Sequence, residues 1–419
     1  MTTAIPYGAY HTTDHMTARL LNWLVWMMFA ISFAVAFEPA PTDLMFGLVI
    51  VFFAFHRIEA ALGVLPLLVL LVIYNFGGFL SYAHAPPQPK AMMFVVTSAY
   101  MAVSAVVLAL YVAANPLRHI ENIGTAWSVG AVLATVWALM DYFQLPSPLP
   151  LQILPGRATG LFKDPNVFST YLIFPMIFML QKLIMGTTRK PILVALALGF
   201  TTIGLFLSFS RGAWANFVFA TIMLVAFTFI LFNSGKMRMR LVIYVVCGLI
   251  FATVAFIIMM SIPDIRDMFV ERFSLVQSYD AGETGRFGNQ VRSLPELLRR
   301  PLGYGPLVFG VIYGQAPHNT FLNAFSAYGW LGGITYFLLI ISTLFVGVKT
   351  IFTKTPWQGL AIAVFCPLVS VIFQGVQIDT EHWRHFYWML GMMWGLFAIS
   401  LQPGRQLTIE SEFIRRHLR

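Results

Sequence analysis

The chain has 419 residues, of which 58% are hydrophobic and only 10% are charged, with a formal net charge of +9. Soluble proteins carry charge on about a quarter of their residues, so this composition excludes a soluble globular protein, a disordered chain and a nucleic-acid binder. The apolar runs are continuous and long enough for helices to cross a bilayer, unlike the short alternating strands of a β-barrel. The sequence therefore predicts an all-α polytopic membrane protein.

About twelve transmembrane helices are predicted, and the second is the shortest. They cover residues 20–37, 41–56, 61–81, 91–114, 120–143, 166–186, 191–210, 212–233, 239–262, 319–348, 358–377 and 385–402. We therefore divide the chain into transmembrane helices 1–9 (residues 1–262), a long extracytoplasmic loop (263–318), transmembrane helices 10–12 (319–402) and a cytoplasmic tail (403–419).

Basic residues set the orientation of such a bundle. With the N-terminus in the cytoplasm, fifteen of the 26 lysines and arginines fall on the inner side. Six of the other eleven lie in the long loop, and basic residues in long loops have little effect on orientation. Both termini are therefore expected in the cytoplasm. Cys247 and Cys366 both lie inside apolar runs, which argues against a disulfide.

Two isolated arginines are predicted on the outer face. Arg211, in Ser-Phe-Ser-Arg-Gly-Ala-Trp, lies at the tip between two spans. It either binds an anion there or extends along the helix to the interface. Arg157 lies in a short outer loop between Gly156 and Gly160, which leave room for a ligand to approach the backbone. Lys163 follows in the same loop.

Asp164-Pro165-Asn166 then reads as a turn and a helix cap that begins the sixth span. The structural interpretation is favoured for Asp164 and Asn166, although Asn166 is kept as a candidate substrate-binding residue.

The long loop contains two amphipathic segments, 264–273 and 289–300, which we expect to lie along the membrane surface. Arg286 has glycine close by on both sides, at Gly285 and Gly288, and is a candidate ligand-binding residue. Arg299 and Arg300 are better explained as interface anchors.

His318 and Asn319 stand directly before the tenth span. A helix dipole disfavours protonation of a histidine at that end, and a neutral imidazole can act as a general base. Asn319 is also the expected N-cap of the helix. Beyond the next span, His382 and His385 are three residues apart, but nothing completes a metal site. An Asp379–Arg384 ion pair that orders the outer mouth is the favoured interpretation there.

Several isolated arginines and one histidine are thus expected at different outer tips of one bundle. Guanidinium groups bind phosphates well because they are planar and always charged. In a membrane, the natural ligand of this kind is a lipid-linked phosphate. The sequence has no Asp-x-Asp motif, acidic cluster or P-loop, so nothing in it supports a divalent metal or ATP.

The motifs resemble those of the O-antigen ligase and O-antigen polymerase superfamily of bacterial envelope proteins. The resemblance covers about residues 150–335. It rests on Arg157-Ala-Thr-Gly-Leu-Phe with Asp164-Pro-Asn166, Ser-Phe-Ser-Arg211-Gly, Gly-Arg286, Pro301-Leu-Gly-Tyr-Gly, Pro-His318-Asn319-Thr-Phe-Leu and Tyr328-Gly-Trp-Leu-Gly.

The resemblance implies a metal-independent glycosyltransferase of the membrane-embedded type, which needs no cofactor. Such an enzyme would act on the periplasmic face of the bacterial inner membrane, with glycan carried on undecaprenyl diphosphate as donor. Arg157 and Arg211 would hold the diphosphate and stabilise it as leaving group. His318 would deprotonate the acceptor hydroxyl. Arg286, Asn319, Asn166, Lys163 and Arg384 would contribute to substrate binding.

The acceptor is open at this point. A ligase would transfer glycan to the lipid A core, which the long loop and the His-Asn element favour. A repeat-unit polymerase for O-antigen or exopolysaccharide would transfer it to another lipid-linked glycan. A lipid-linked glycan transporter or flippase is a further alternative, although transporters usually have two related halves with binding residues at mid-membrane.

Overall fold

A computed structural model describes residues 12–55, 61–147, 156–232, 234–273, 282–283 and 285–402. The predicted cytoplasmic tail, 403–419, lies outside these residues. Within the described ranges the chain is helical, with no strand.

The helices are numbered in chain order. They are α1 Thr12–Ala30, α2 Pro41–Phe55, α3 Leu65–His84, α4 Ala91–Ala114, α5 Pro116–Tyr142, α6 Pro165–Tyr171, α7 Ile173–Met185, α8 Pro191–Leu207, α9 Arg211–Leu231, α10 Gly235–Met260, α11 Pro263–Phe273, α12 Arg286–Leu297, α13 Val308–Tyr313, α14 Thr320–Phe352, α15 Gln358–Gln374 and α16 Arg384–Ser400. A short 3-10 helix, Leu62–Val64, precedes α3.

A helix occupies the position of every predicted span, which confirms the all-α class. Seven segments of the described chain are long and apolar enough to cross a bilayer. One of these, Pro165–Met185, comprises α6 and α7 with Leu172 between them. The first helix differs most from its predicted limits, because it begins and ends about seven residues earlier than expected. Twelve crossings stay a prediction.

Small residues allow the central helices to approach closely. A side chain at Gly391 or Gly395 of α16 would collide with the carbonyl oxygens of Ala105 and Ala109 on α4. On the other side, a Cβ at Gly77 of α3 would lie 2.8 Å from the backbone nitrogen of Gly332 on α14. Such contacts are typical of helix packing in membranes, where van der Waals contact replaces the hydrophobic effect.

Helix α14 is kinked at Gly329, which has φ +67° and ψ −169°. The loop after α12 lies against this kink: Trp330 N–H donates to the Pro301 carbonyl at 2.8 Å, and Tyr304 N–H donates to the Ser326 carbonyl at 2.8 Å. The motifs Pro301-Leu-Gly-Tyr-Gly and Tyr328-Gly-Trp-Leu-Gly are therefore packed against each other. Their contacts fix the course of the long loop toward His318.

Both amphipathic segments of the long loop form helices, α11 and α12. Helix α12 buries Asn289, Ser293 and Leu297 against the bundle. Its apolar residues Phe287, Val291, Leu294 and Leu298 are half exposed or more and recur at helical spacing. An outward apolar stripe on a short helix supports the prediction that it lies along a membrane surface.

Candidate functional site

Arg157 lies in a loop that is fixed from two sides. On one side, the Asp141 carboxylate at the end of α5 accepts hydrogen bonds from Thr159 N–H at 3.0 Å, Thr159 Oγ1 at 2.7 Å and Gly160 N–H at 3.0 Å. On the other side, Ala158 N–H donates to the Leu207 carbonyl at 2.9 Å. The loop that carries Arg157 is thus a rigid part of the bundle.

Gly160 serves this packing, and not ligand access as the sequence suggested. Its φ is +61°, and a Cβ there would lie 2.9 Å from the backbone nitrogen of Ala138 on α5. Asp164 is the N-cap of α6, accepting from Asn166 N–H at 2.6 Å, with Pro165 next. The predicted cap is confirmed.

Arg157, Asn166 and the start of α9 meet at one corner. Arg157 Nε donates to the Ser208 carbonyl at 2.9 Å, and its Nη2 donates to Asn166 Oδ1 at 3.4 Å. The same Asn166 oxygen accepts from Ser210 Oγ at 2.7 Å. Ser210 is the N-cap of α9, so the next residue, Arg211, begins that helix beside Arg157. The two predicted arginines therefore share one locality.

Gln374, at the end of α15, joins this corner to the rest of the site. Its Oε1 accepts hydrogen bonds from Thr170 Oγ1 of α6, at 3.0 Å, and from Asn216 Nδ2 of α9. Its Nε2 lies 3.4 Å from where a Cβ on Gly212 would stand. One buried amide thus links α6, α9 and α15 next to Gly212, the residue that follows Arg211.

The loop that follows Gln374 holds the start of α14. Thr320 N–H donates to the Gly375 carbonyl at 2.7 Å. The Asp379 carboxylate accepts from His318 N–H at 3.1 Å and from Asn319 N–H at 2.9 Å. Asn319 is the N-cap of α14, as predicted, and its Nδ2 donates to the Val376 carbonyl at 3.2 Å. His318 is thereby tied to the loop that follows Gln374.

Two strained residues stand at matching positions in the site. Phe209 and His318 have φ of +49° and +50°, in the left-handed region that side chains with a Cβ rarely occupy. Each stands directly before an N-cap residue, Ser210 or Asn319. Backbone strain of this kind persists only where surrounding contacts enforce it, and it concentrates at functional sites.

Helix α12 brings the long loop to the same place. Arg286 Nη1 donates to the Gln377 carbonyl at 3.2 Å. Gln290 Nε2 donates to the Pro317 carbonyl at 2.9 Å, which holds the chain just before His318. Hydrogen bonds therefore connect α12 to the segment before α14 and to the 375–379 loop.

Asp379 dominates the electrostatics of this part of the site. Burial and the neighbouring Glu381 carboxylate raise the pKa of Asp379 above its ordinary value, although the N–H groups of His318 and Asn319 and the charge of Arg286 lower it. The N–H groups of His318 and Asn319 thus favour the ionised form of Asp379, against the burial that disfavours it.

Lys163 and Arg384 lie apart from this cluster. Lys163 forms an exposed ion pair with Glu38. Arg384 binds Asp43 through two hydrogen bonds, from Nε at 2.9 Å and Nη2 at 2.7 Å. The predicted Asp379–Arg384 pair is therefore wrong: Arg384 points to the start of α2, and Asp379 is occupied by the backbone of His318 and Asn319.

His382, the first histidine of the last outer loop, has protein partners. The His382 ring packs against that of Phe94 at a tilt of 37°, with ring centroids 3.8 Å apart, and its Nε2 donates to the Phe94 carbonyl at 3.0 Å. In the part of the chain that the structure describes, no group of three or more His, Cys, Asp or Glu side chains is placed to hold a metal.

Sequence reasoning missed two residues that organise the site, Asp141 and Gln374, and assigned the wrong partner to a third, Asp379. Each is a single polar residue at the end of an apolar helix or just beyond it. That placement was the available signal, since a buried polar side chain is costly unless it has hydrogen-bond partners.

Comparison with known proteins bears on residues 192–337, which match the family model described as O-Antigen ligase. That range includes Arg211, Arg286, His318 and Asn319, while Arg157 and Asp379 lie on either side of it. No curated protein matches the chain. The match confirms the resemblance seen in the motifs: this membrane protein carries a domain of the O-antigen ligase and polymerase superfamily.

Proposed function

We propose that the protein is a metal-independent glycosyltransferase that moves glycan from undecaprenyl diphosphate to an acceptor hydroxyl, as an O-antigen ligase does. The observation that carries this proposal is the convergence described above. Arg157 and Arg211 share one corner, and the chain from Gln374 to Asp379 connects that corner to His318.

In this proposal the two arginines bind the diphosphate of the donor. Arg157 is held by the Ser208 carbonyl and Asn166, so its guanidinium is oriented before the substrate arrives. Arg211 stands at the N-terminus of α9, where the helix dipole adds to its positive charge. Fixed cations of this kind stabilise the negative charge that develops on a diphosphate as it leaves the sugar.

His318 is the proposed general base. It would take the proton of the acceptor hydroxyl while that oxygen attacks the anomeric carbon of the donor sugar and the bond to diphosphate breaks. Its backbone is fixed by Asp379 and Gln290, which limits the positions its ring can adopt. Arg286 and Asn319 are expected to contact the substrates from the adjoining helices, and Asn166 from beside Arg157.

An apolar cavity of about 410 Å³ between α8 and α10 supports a lipid-linked donor. It is lined by side chains such as Ile203, Phe206, Leu249 and Phe256. Phe206 precedes the Ser208 carbonyl, which binds Arg157, by only two residues. A polyprenyl chain in this cavity would therefore lead directly to the proposed diphosphate site, in keeping with the hydrophobic lining of lipid sites.

The orientation of the bundle supports a periplasmic site. By the distribution of basic residues, the ends of the helices that carry Arg157, Arg211 and His318 face away from the cytoplasm. The enzyme would then lie in the bacterial inner membrane with both termini in the cytoplasm.

Reconstitution tests the proposal. Purified full-length protein in lipid vesicles would receive undecaprenyl-diphosphate glycan together with lipid A core in one sample and a second lipid-linked glycan in another. Ligase activity gives glycosylated lipid A core, whereas polymerase activity gives a longer lipid-linked glycan. We expect the ligase product. Absence of both products in a correctly folded sample would overturn the glycosyltransferase assignment and favour the alternative, a transporter of lipid-linked glycan.

A further inference from the structure

A second cavity lies close to the proposed active site and has a different lining. Its volume is about 190 Å³, and it opens to the surface between the segment after α1, the loop before α6 and the start of α16. By the volume that water occupies in the liquid, it has room for roughly six water molecules. That space suits one sugar ring and is too small for an oligosaccharide.

Helix α6 separates this cavity from the arginines. Asn166 and Thr170, four residues apart, bind Ser210 and Gln374 on the active-site side. Val167 and Tyr171, also four residues apart, line the cavity. Residues with this spacing share one helix face, so the two sites lie on different faces of the same short helix.

The walls of the cavity are aromatic and buried. Four large rings contribute to them, each less than a tenth exposed: Phe162, Tyr171, Trp383 and Trp388. Flat aromatic faces offer a large contact area to the C–H face of a sugar ring, and few other small polar ligands have such a face.

One buried polar group among these rings has no partner. His385 lines the cavity and is 3% exposed, and its Nε2 makes no hydrogen bond. A buried imidazole nitrogen without a partner is costly in free energy, and a ligand hydroxyl in the cavity would relieve that cost.

The rim of the cavity is charged. It holds the exposed Glu38–Lys163 ion pair, the Asp164 carboxylate and Arg384, which is paired with Asp43. Exposed ion pairs are weak, so this one can open or exchange partners with a ligand at little cost. The cavity lining contains two carboxylates and two basic side chains, so it favours a neutral polar ligand, and its charges disfavour a lipid chain. Sugar hydroxyls can bond to both signs of charge.

We infer that this cavity is a subsite for one sugar residue of a substrate glycan. The inference rests on the proposed function for its place in the reaction, since the sugar can belong to the donor or to the acceptor. The choice of a sugar as the ligand, however, rests on the unpartnered His385 nitrogen, the aromatic walls and the charged rim.

Binding of free sugars tests the subsite without any transfer reaction. Full-length protein in lipid nanodiscs would be titrated with N-acetylglucosamine, glucose and galactose, with binding followed by saturation-transfer NMR. We expect saturable binding of at least one sugar. His385→Phe keeps a ring but removes the nitrogen, and it should weaken binding about tenfold.

Val35→Trp is the second variant, because it fills the cavity from its edge and removes no buried polar group. Binding should be lost in it, while Val103→Trp, on an exposed face of α4, should bind as the unmodified protein does. No saturable binding by any of the three sugars, or equal binding by Val35→Trp and Val103→Trp, would overturn the subsite.

Kinetics of glycan transfer then identify the source of the sugar. If the subsite holds the acceptor, Val35→Trp raises KM for the acceptor and leaves KM for the lipid-linked donor unchanged; the reverse result assigns it to the donor. Normal transfer without sugar binding would remove the subsite and leave the proposed function intact. Sugar binding without any transfer would contradict the proposed function alone.

Discussion

The carboxylate of Asp379 accepts a hydrogen bond from the backbone N–H of His318 at 3.1 Å, although the two residues are 61 positions apart in the sequence. The bond joins the loop between α15 and α16 to the start of α14. Because His318 has φ of +50°, its backbone needs such contacts to keep its position. Asp379 is therefore best described as a positioning residue for His318.

Replacing Asp379 with Asn tests this positioning role. The amide has one acceptor oxygen and an NH₂ group that cannot accept the second N–H, so His318 loses part of its anchoring. We expect kcat for glycan transfer to fall about tenfold to a hundredfold with KM for the donor little changed, as misplacement of a reacting group predicts. Steady-state kinetics of the reconstituted enzyme measure both.

The pH profile distinguishes this role from a merely structural one. The pKa of Asp379 is raised, so the carboxylate forms only as pH rises through a range above that of an ordinary aspartate. The ionised form is the one that accepts both N–H groups, and turnover should therefore decline as pH falls through that range. Asp379→Asn should lack this decline. Asp267→Asn, at an exposed position in α11, should keep it.

Arg157→Lys tests whether the geometry of the guanidinium matters beyond its charge. Lysine keeps the positive charge, but its donors all lie on one nitrogen and lack the planar fork by which Nε and Nη2 of Arg157 bind the Ser208 carbonyl and Asn166. We expect transfer to fall about a hundredfold, comparable to the loss of one fixed donor at a developing negative charge.

Arg299→Lys, at an exposed position after α12, is the matched control and should transfer glycan normally. Equal activity of the two lysine variants would contradict an oriented guanidinium at Arg157. Arg211→Ala, assayed alongside, should abolish transfer while the protein still inserts into the membrane.

Removal of metal ions should leave transfer unchanged. In this proposal the two arginines stabilise the negative charge of the diphosphate, so no divalent cation is needed for that purpose. Treatment of the reconstituted enzyme with EDTA, followed by an assay in chelated buffer, measures this. A loss of activity that Mg²⁺ or Mn²⁺ restores would show that a cation takes part and that the arginines alone do not suffice.

Asp141 should prove essential for stability. Asp141→Ala leaves three donors of the Arg157 loop without their acceptor, and we expect a loss of about 3 kcal/mol in the free energy of unfolding. Denaturation of the detergent-solubilised protein followed by circular dichroism measures it. Asp264→Ala, at an exposed position in α11, should change stability little.

The sequence was sufficient to predict the helices, because continuous apolar runs set their positions and charged or proline-containing segments separate them. It also indicated Arg157 and Arg211 as candidates, since isolated charges at the ends of apolar runs are conspicuous, whereas His318 was indicated mainly by the family resemblance. The N-caps at Asp164 and Asn319 followed from local rules that need no tertiary information.

The partners of these residues could not be predicted in the same way. Arg384 and Asp43 are 341 positions apart, and pairing Arg384 with the nearby Asp379 was the wrong choice. In the sequence, Gln374 is a single polar residue in an apolar span. Its hydrogen-bond partners, on α6 and α9, are known only from the structure. Long-range pairing depends on helix packing, which hydropathy does not encode.

Gly329 provides a test of the link between the α14 kink and the site. Its φ of +67° is strained for any residue with a Cβ, and a Cβ there would lie 2.5 Å from the Pro301 carbonyl oxygen. Gly329→Ala should therefore displace the 301–305 loop and cost about 2 kcal/mol or more of stability.

Gly248→Ala is the matched control, because Gly248 lies within α10 and a Cβ there would meet nothing within 4 Å. It should be neutral or slightly stabilising, since alanine favours the helix over glycine. Thermal unfolding of both variants in detergent, with glycan transfer assayed below the unfolding range, separates stability from activity. If Gly329→Ala unfolds at the same temperature as Gly248→Ala, the kink does not depend on the glycine, and the packed motifs at Pro301 and Tyr328 do not fix the loop that leads to His318.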